Sequence, residues 1–354
     1  MKKPSSAKQG NTASGQARVG IAGVTGYAGQ ELLRILSGHP HVRVSYLASS
    51  GKTDPEPALR HMGGLPVKVV PFNPKAATEA CDAVFLCLPH KVSMESVPAL
   101  LEKGLKVFDL SADFRFKDAK KYEEVYGIPH TAPNLLKKAV YGQPEIHRIA
   151  LKNASLVAVP GCYPTGALLA LAPLFKNGLT TGKVIIDSKS GVSGAGKELR
   201  ADLMFCEVNE NVRAYGIFKH RHGPEMGQEV DAISGQKVEF IFTPDLIPMN
   251  RGILTTAYVT LTKPLSPEGL NGAFISFYRE SPFIRVLAGG MPETRAVRGT
   301  NFCDIGTAVR GRDAIICSAI DNLGKGAAGQ AVQAFNVAMG YPETEGLLGL
   351  TGAA

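Results

Sequence analysis

One cysteine stands where its sulfur could act as a nucleophile. Pro-Gly-Cys-Tyr-Pro-Thr at 160–165 follows an apolar run at 156–159, which predicts a strand, and a helix is predicted from Pro164 to Phe175. Proline suits a first helical turn because the N–H that it lacks would have no partner there. Cys162 is therefore predicted at a helix N-terminus, where free N–H groups favour a thiolate and lower the thiol pKa from about 8.5. A cysteine is more often a buried apolar residue, but this one lies in a turn beside glycine.

A second group with chemical potential is His-Arg-His-Gly-Pro-Glu at 220–225. Two histidines and a carboxylate could supply a base for the thiol and a group that orients the base. Zinc binding and a plain surface loop are the alternatives. Two histidines two residues apart, with no cysteine pair and no third ligand nearby, make a poor zinc site, so we predict no metal.

Glycines at 20–29 (Gly-Ile-Ala-Gly-Val-Thr-Gly-Tyr-Ala-Gly) lie between a predicted strand and a predicted helix. This context is typical of a turn that brings the backbone close to a dinucleotide pyrophosphate, although glycines can also mark a tight turn alone. The second strand ends at Ser49 and Ser50, followed by Gly51 and Lys52, with no acid before Asp54. Hydroxyls and a lysine there favour the 2′-phosphate of NADP over the ribose of NAD, unless the segment is only a turn.

A second glycine-rich loop at 188–197 contains Ser190, Gly191, Ser193 and Gly194. Consecutive small residues expose N–H donors, which suits a phosphate or the nicotinamide face. A flexible connector is the alternative.

The elements that must position these residues change character along the chain. Strands at 18–22, 42–48, 83–88 and 106–109 alternate with helices at 30–36 and 92–103, which predicts a parallel sheet covered on both faces. Longer strands at 183–188, 238–243, 253–262 and 314–320 predict a second, α+β domain with a largely antiparallel sheet. The helix at 326–339, rich in small residues, is predicted to pack back against the first domain.

Length and composition limit the function further. The 354 residues suggest two domains, and a net charge of +8 without a Lys/Arg block argues against nucleic acid as a partner. No apolar run is long enough to span a membrane. The six cysteines include no CxxC pair, which indicates a reducing compartment, so we expect a cytoplasmic protein. The polar segment 1–16 is predicted to be a disordered tail.

Five further segments carry a family resemblance beside the hexad at 160–165. They are Gly-Val-Thr-Gly-Tyr-Ala-Gly at 23–29, Asp-Leu-Ser-Ala-Asp-Phe-Arg at 109–115, Ser-Gly-Val-Ser-Gly-Ala-Gly at 190–196, the histidine segment at 220–225, and Asp-Asn-Leu-Gly-Lys-Gly-Ala-Ala-Gly-Gln at 321–330. On the basis of these segments, the chain resembles the N-acetyl-gamma-glutamyl-phosphate reductase family over nearly its whole length after the tail. The resemblance implies a fold like that of glyceraldehyde-3-phosphate dehydrogenase, an NADP cofactor, a role in arginine biosynthesis and a homo-oligomer, either a dimer or a tetramer.

The resemblance also implies roles for particular residues. Cys162 would be the nucleophile and His220 the acid/base, with His222 as the alternative because the segment before the histidines is a residue shorter than in some relatives. Residues expected in contact with the substrate are Arg115, Lys189, His222 and Glu225. Residues expected in contact with the cofactor are Gly23, Thr25, Gly26, Tyr27, Ala28, Gly29, Ser49, Ser50, Ser190, Gly191, Ser193, Gly194 and Asn322.

The resemblance implies the NADPH-dependent reduction of N-acetyl-γ-glutamyl phosphate to N-acetylglutamate 5-semialdehyde and phosphate, through a thioester on the cysteine. The expected domains are an NADP-binding domain at 17–160 plus 322–354 and a catalytic and oligomerisation domain at 161–321. A reductase for carrier-linked 2-aminoadipate phosphate, in lysine biosynthesis, shares the motifs and is the nearest alternative. An aspartate-semialdehyde dehydrogenase would lack this hexad, and a non-catalytic NADP-binding sensor would not need the cysteine and the histidine.

Overall fold

A computed structural model describes residues 15–349, with the exception of 53, 63 and 65. Most of the predicted tail, residues 1–14, lies outside the described residues, as do residues 350–354. Within the described range, no helix has both the length and the apolar character that crossing a membrane would require.

The first half of the chain forms a parallel sheet whose strand order is β3-β2-β1-β4-β5-β7-β6. Every pair of neighbouring strands in this sheet runs parallel. The strands are β1 (Ala17–Ala22), β2 (Val42–Ser49), β3 (Val69–Pro71), β4 (Ala83–Leu86), β5 (Lys106–Asp109), β6 (Val140–Tyr141) and β7 (Leu156–Ala158). The helices are α1 (Tyr27–Ser37), α2 (Glu56–Leu59), α3 (Pro74–Ala80), α4 (Val92–Glu102), α5 (Ala119–Tyr126), α6 (Pro133–Leu136) and α7 (Pro144–Leu151).

Helices cover both faces of this sheet because successive side chains of each strand point to opposite sides. One face packs against α1 and against the last helix of the described chain, α13 (Gly329–Met339), in a core that includes Leu32 and Phe335. The other face packs against α3, α4 and α5, in a core that includes Val97 and Tyr122. The predicted return of the final helix to the first sheet is confirmed.

The second half forms a mixed sheet whose strand order is β12-β13-β14-β11-β8-β10-β9. Four of its six strand pairs are antiparallel, as predicted, whereas β8–β10 and β12–β13 are parallel. The strands are β8 (Val184–Ser190), β9 (Arg213–Ala214), β10 (Phe240–Leu246), β11 (Ile253–Thr260), β12 (Ile284–Val286), β13 (Cys303–Arg310) and β14 (Asp313–Ile320). The helices are α8 (Cys162–Lys176), α9 (Phe205–Val208), α10 (His222–Ser234), α11 (Pro267–Phe277) and α12 (Thr294–Val297).

The helix α8 is the centre of the second core. It is apolar on all sides, as expected of a buried helix, and it packs against β11, β14 and α10. Alternate residues of the second sheet face α8 and are buried. The opposite face of the sheet remains open and exposes Ile185, Tyr258 and Ile315. The fold class predicted from the sequence, a Rossmann-type parallel sheet plus an α+β part, is confirmed.

Several element boundaries differ from the predictions by a few residues, and two of the differences have a clear local reason. The helix α8 begins at Cys162 and not at Pro164, because the Thr165 N–H donates to the Gly161 carbonyl (3.0 Å) and closes the first turn there. The strand predicted from residue 238 begins at Phe240. The Val238 N–H donates instead to the carboxylate of Asp231 (2.9 Å), which ties it to the end of α10.

Candidate active site

Cys162 is held at the junction of the two sheets. The strand β7 leads into Pro160 and Gly161, and Cys162 then opens α8, with Gly161 in extended conformation as the N-cap. The side chain is partly exposed and lines two cavities. A β-carbon on Gly326 would lie 3.0 Å from Cβ of Cys162, so that glycine packs directly against the cysteine.

The two cavities that meet at Cys162 have different walls. The first, of about 300 Å³, is lined by the glycine turn Gly26–Gly29 and by Asn322, and we name it the dinucleotide cavity. The second, of about 410 Å³, is lined by Tyr215, His220 and three arginines, and we name it the arginine cavity. Cys162, Gly194, Arg221 and His222 line both. The sulfur therefore lies between the glycine turn, which suits the phosphates of a dinucleotide, and the arginines, which suit an anionic substrate.

The thiol of Cys162 does not have the lowered pKa that its position predicts. Burial raises the pKa to about 11, although the Tyr163 N–H and the charge of Arg115 act in the opposite direction. The helix N-terminus is present as predicted, but loss of hydration disfavours the thiolate more than the N–H group favours it. In this state the sulfur rests as a thiol and needs a base.

Both histidines lie near the cysteine, with ring centroids 5.4 Å (His220) and 5.9 Å (His222) from that of Tyr163, but it is His222 that packs against Gly161. A β-carbon on Gly161 would be 2.5 Å from Nε2 of His222. His220 stands behind it, and its Nδ1 accepts the backbone N–H of His222 (3.1 Å). Burial lowers the pKa of His220 to about 4 and holds the pKa of His222 well below its usual value, so both rings are neutral near pH 7. The geometry favours His222 as the imidazole that serves Cys162.

Glu225 has a different place from the predicted substrate contact. It is 1% exposed, lines neither cavity and accepts three hydrogen bonds. Its Oε1 accepts from the Gly161 N–H (2.9 Å) and from the Tyr141 hydroxyl (2.8 Å), and its Oε2 pairs with Arg115 (3.2 Å). The prediction of direct substrate contact by Glu225 is corrected, since its oxygens are directed at the protein and hold the turn before Cys162.

Arg115 lines the dinucleotide cavity, as its predicted anion contact requires, but it is only 6% exposed. It donates to the carbonyls of Val159 (2.9 Å) and Leu110 (3.0 Å) as well as to Glu225. Three of its five N–H groups are therefore engaged within the protein. These hydrogen bonds fix the guanidinium of Arg115 in a position from which its positive charge faces the dinucleotide cavity.

Lys189 lies away from the cleft, which contradicts the predicted substrate contact. Strand β8 continues to Ser190, so that Ser188 and Ser190 face the core and Lys189 points to the open face of the sheet. Its ammonium pairs there with Asp187.

The predicted cofactor residues other than Gly23 divide into four groups. Gly26, Tyr27, Ala28, Gly29, Ser193, Gly194 and Asn322 line the dinucleotide cavity. Thr25 lines an adjoining space of about 440 Å³ with Asp54 and Lys197. Ser190 and Gly191 line the arginine cavity instead, and Ser49 and Ser50, at the end of β2, line none of the three.

Backbone geometry explains two of these glycines. Gly23 has φ +86°, and a β-carbon there would lie 2.2 Å from the Cys87 carbonyl oxygen. A β-carbon on Gly29 would lie 2.3 Å from the Gly23 carbonyl oxygen, so α1 can approach β1 only without a side chain at that position. The turn thereby places the N-terminus of α1 at the dinucleotide cavity. Asn322 is fixed beside it, since its amide donates to Ser193 Oγ (2.9 Å) and its oxygen accepts from the Gly252 N–H (2.7 Å).

Several cavity residues gave no sequence signal. Arg200 and Arg213 belong to no recognisable motif, and Tyr215 lies in an irregular stretch, yet all three line the arginine cavity. Arg221 could have been found, because it stands between the two histidines. Among the described residues, no three His, Cys, Asp or Glu side chains form a group that could hold a metal ion.

Comparisons with known proteins agree with this architecture. Residues 18–154 match the family profile described as the semialdehyde dehydrogenase NAD binding domain, and residues 162–322 match that described as the semialdehyde dehydrogenase dimerisation domain. The N-acetyl-gamma-glutamyl-phosphate reductase of Geobacter sulfurreducens is 50% identical over 343 residues, covering 94% of this chain and 98% of that protein. The protein of the same name from Syntrophobacter fumaroxidans is 47% identical, covering 93% and 97%.

Among solved structures, aspartate semialdehyde dehydrogenase II from Vibrio cholerae, complexed with ASA, has a TM-score of 0.68 at 18% identity. The match covers 91% of this chain and 98% of that one. Aspartate semialdehyde dehydrogenase with NADP from Candida albicans has a TM-score of 0.65 at 17% identity, with the same coverage. At such identity the likeness shows the fold alone. The matched profile and the glycine turn together assign a nicotinamide cofactor to this chain.

Proposed function

This chain belongs to the N-acetyl-gamma-glutamyl-phosphate reductase family, and we propose that it reduces N-acetyl-γ-glutamyl phosphate to N-acetylglutamate 5-semialdehyde and phosphate in arginine biosynthesis. The observation that carries the proposal is the position of Cys162 at the start of α8, between the dinucleotide cavity and the arginine cavity. Nothing in the site favours a carrier-linked substrate, and the intact cysteine and histidines argue against a sensor without catalysis.

Catalysis begins with the resting thiol of Cys162. The neutral imidazole of His222 takes the thiol proton as the sulfur attacks the γ-carbonyl. The C–S bond forms, the C–O bond to phosphate breaks, and a thioester remains on the enzyme. A thiol suits this step because it is a strong nucleophile and afterwards a good leaving group.

A nicotinamide cofactor held by the turn Gly26–Gly29 and by Asn322 would supply the hydride for reduction of the thioester carbonyl. The imidazolium of His222 then supports the oxyanion of the hemithioacetal, and the collapse of that adduct releases the aldehyde and restores the sulfur. His220 holds His222 through the backbone contact described above. This assignment takes the alternative that the sequence left open, with His222 in place of His220 as the acid/base.

We infer NADP rather than NAD from the end of β2. Residues 49–52 at this strand end include two serines and a lysine but no carboxylate that could accept the ribose 2′-hydroxyl, and a lysine suits a 2′-phosphate. The neighbouring space of about 440 Å³ is lined by Thr25, by Asp54, which follows four residues after Ser50, and by Lys197, which adds a second lysine for the phosphate.

The open face of the second sheet supports assembly with another copy of the chain. It exposes three large apolar side chains, Ile185, Tyr258 and Ile315, on adjacent strands, within the segment that matches a dimerisation domain. We propose a cytoplasmic homo-oligomer, either a dimer or a tetramer. Its domains are 17–160 with 322–354 for the cofactor and 161–321 for catalysis and assembly.

The phosphate-dependent reduction of NADP with N-acetylglutamate 5-semialdehyde tests the function directly. Cys162→Ser is expected to reduce this rate by at least about 10³-fold while the affinity for NADPH is unchanged. Cys206→Ser, at an exposed position on α9, is the matched control and keeps full activity. Activity that persists in Cys162→Ser would exclude the thioester route.

A further inference from the structure

The arginine cavity contains an ion cluster that the proposed reaction does not use. Asp202 lies in the short 3₁₀ helix Ala201–Leu203. The guanidinium of Arg200 donates two hydrogen bonds, of 3.0 and 2.7 Å, to its carboxylate. Arg213, in β9, donates to the same carboxylate (2.9 Å) and to the Asp202 carbonyl (2.7 Å). All three residues line the cavity in which Cys162 lies.

This cluster has the form of an occupied carboxylate site. Two planar guanidinium groups that converge on one carboxylate are the arrangement by which proteins bind carboxylate ligands. The two arginines hold the pKa of Asp202 below its usual range, the hydrogen bond from Arg200 contributing most. With Arg221 also in the wall, the cavity carries three positive charges against the single charge of Asp202. It therefore retains a positive excess for a ligand.

The cluster is also accessible enough to exchange partners. The side chains of Arg200, Asp202 and Arg213 are 49%, 41% and 35% exposed. Ion pairs with this exposure contribute little to stability, because water screens them, so a competing anion can replace one partner. This distinguishes the cluster from the pair of Arg115 and Glu225, which is buried on both sides.

On the basis of the proposed function, we propose that Arg200 and Arg213 bind the α-carboxylate of the acylated amino-acid substrate, and that Asp202 occupies this carboxylate site until the substrate displaces it. The reacting carbonyl of the substrate must reach Cys162, and its leaving phosphate must lie beside the same sulfur. The α-carboxylate is at the other end of the carbon chain and requires a separate cationic contact. Arg200 and Arg213 supply it in the same cavity.

Steady-state kinetics in the phosphate-dependent direction test the arginines. Arg213→Met is expected to raise the KM for N-acetylglutamate 5-semialdehyde by about 10- to 100-fold, the usual effect of losing a charge-assisted contact, with the KM values for phosphate and NADP unchanged. The α-carboxamide of the semialdehyde, which lacks the carboxylate charge, is expected to have a high KM with the unaltered enzyme. Arg213→Met is not expected to raise that KM further. Arg43→Met, at an exposed position on β2, is the matched control and leaves all KM values unchanged.

Asp202→Asn tests the displacement. If Asp202 competes with the substrate, this variant lowers the KM for the semialdehyde by roughly 2- to 5-fold, the equivalent of one exposed ion pair. If Asp202 instead only aligns the arginines, the KM rises, and the displacement is wrong.

Two results would overturn the carboxylate site itself. One is an Arg213→Met enzyme in which the KM for phosphate rises and that for the semialdehyde does not, because the arginines would then bind the leaving group. The other is an Arg213→Met enzyme whose KM rises by the same factor for the semialdehyde and for its α-carboxamide. An unaltered enzyme that lacks phosphate-dependent activity would instead refute the proposed function, so the two failures can be told apart.

Discussion

The ring of His222 occupies the space next to Gly161 so fully that a single β-carbon on the glycine would lie 2.5 Å from Nε2. Gly161 has φ −65° and ψ 157°, a conformation open to any residue. Its lack of a side chain is therefore required by the imidazole and not by the backbone. The contact brings the histidine to the residue immediately before the nucleophile.

Gly161→Ala is expected to displace the imidazole and lower kcat by about 10- to 100-fold, since a shift of about 1 Å in a catalytic group has effects of this size. NADPH affinity, measured by fluorescence titration, should not change. Gly223→Ala is the matched control: nothing lies within 4 Å of its added carbon, and alanine is favoured in α10. A Gly161→Ala enzyme with unaltered kcat would show that His222 does not serve Cys162.

Glu225→Gln is expected to destabilise the fold by about 3–5 kcal/mol, because the charge of buried Arg115 loses its partner. Tyr141→Phe removes one hydrogen bond to the same carboxylate and should cost about 1 kcal/mol. Urea unfolding measures both. Glu124→Gln, which breaks an exposed pair with Lys121, should change stability by less than about 1 kcal/mol and serves as the control.

Stability should fall as the pH drops from about 6.5 towards 4. Burial lowers the pKa of His220 to about 4 and that of His90 to about 4, below the value of about 6.5 in the unfolded chain. Between these values only the unfolded chain binds the protons, so each histidine contributes stability above pH 6.5 that is lost as the pH falls.

His220→Asn should therefore reduce the difference in unfolding free energy between pH 7 and pH 5 by on the order of 1 kcal/mol. Urea titrations at the two pH values measure this difference. His61→Asn changes an exposed histidine and should retain the pH dependence of the unaltered chain. Equal slopes for all three proteins would mean that His220 is hydrated in the folded state.

Ser50→Asp tests the choice of cofactor. A carboxylate at the end of β2 would repel a 2′-phosphate and accept a ribose hydroxyl, so the ratio of kcat/KM for NADPH to that for NADH should fall by at least about 10-fold. Ser155→Asp places the same charge at an exposed position before β7, which is separated from β2 by three strands of the sheet, and should leave the ratio unchanged. An unchanged ratio in Ser50→Asp would remove the basis for inferring NADP from this strand end.

Local signals in the sequence predicted the backbone elements that surround the site. Glycine spacing placed the turn before α1, and the two prolines around Cys162 indicated the helix start to within two residues. Both features depend on backbone geometry that neighbouring residues determine. The parallel sheet followed from the alternation of strands and helices.

What the sequence could not supply were contacts between distant segments. Glu225 is directed at Gly161 and Tyr141, which lie 64 and 84 residues away. The thiol pKa of Cys162 depends on burial by the whole cleft, whereas only the helix N-terminus was visible in the sequence. Lys189 was misplaced for a different reason. The strand was predicted to end at residue 188, and its continuation to Ser190 turns the lysine to the opposite face.

The π-helical turn Gly324–Ala328, with Gly326 against Cys162, has a consequence for biosynthesis. The ribosome makes the nucleophile about halfway along the chain and Gly326 near its end, and the following helix α13 then fills the core beside the first strands. A nascent chain that already contains the cysteine and both histidines thus still lacks one wall around the sulfur. The reactive centre is therefore completed only after α13 has been made and has packed beside the first strands.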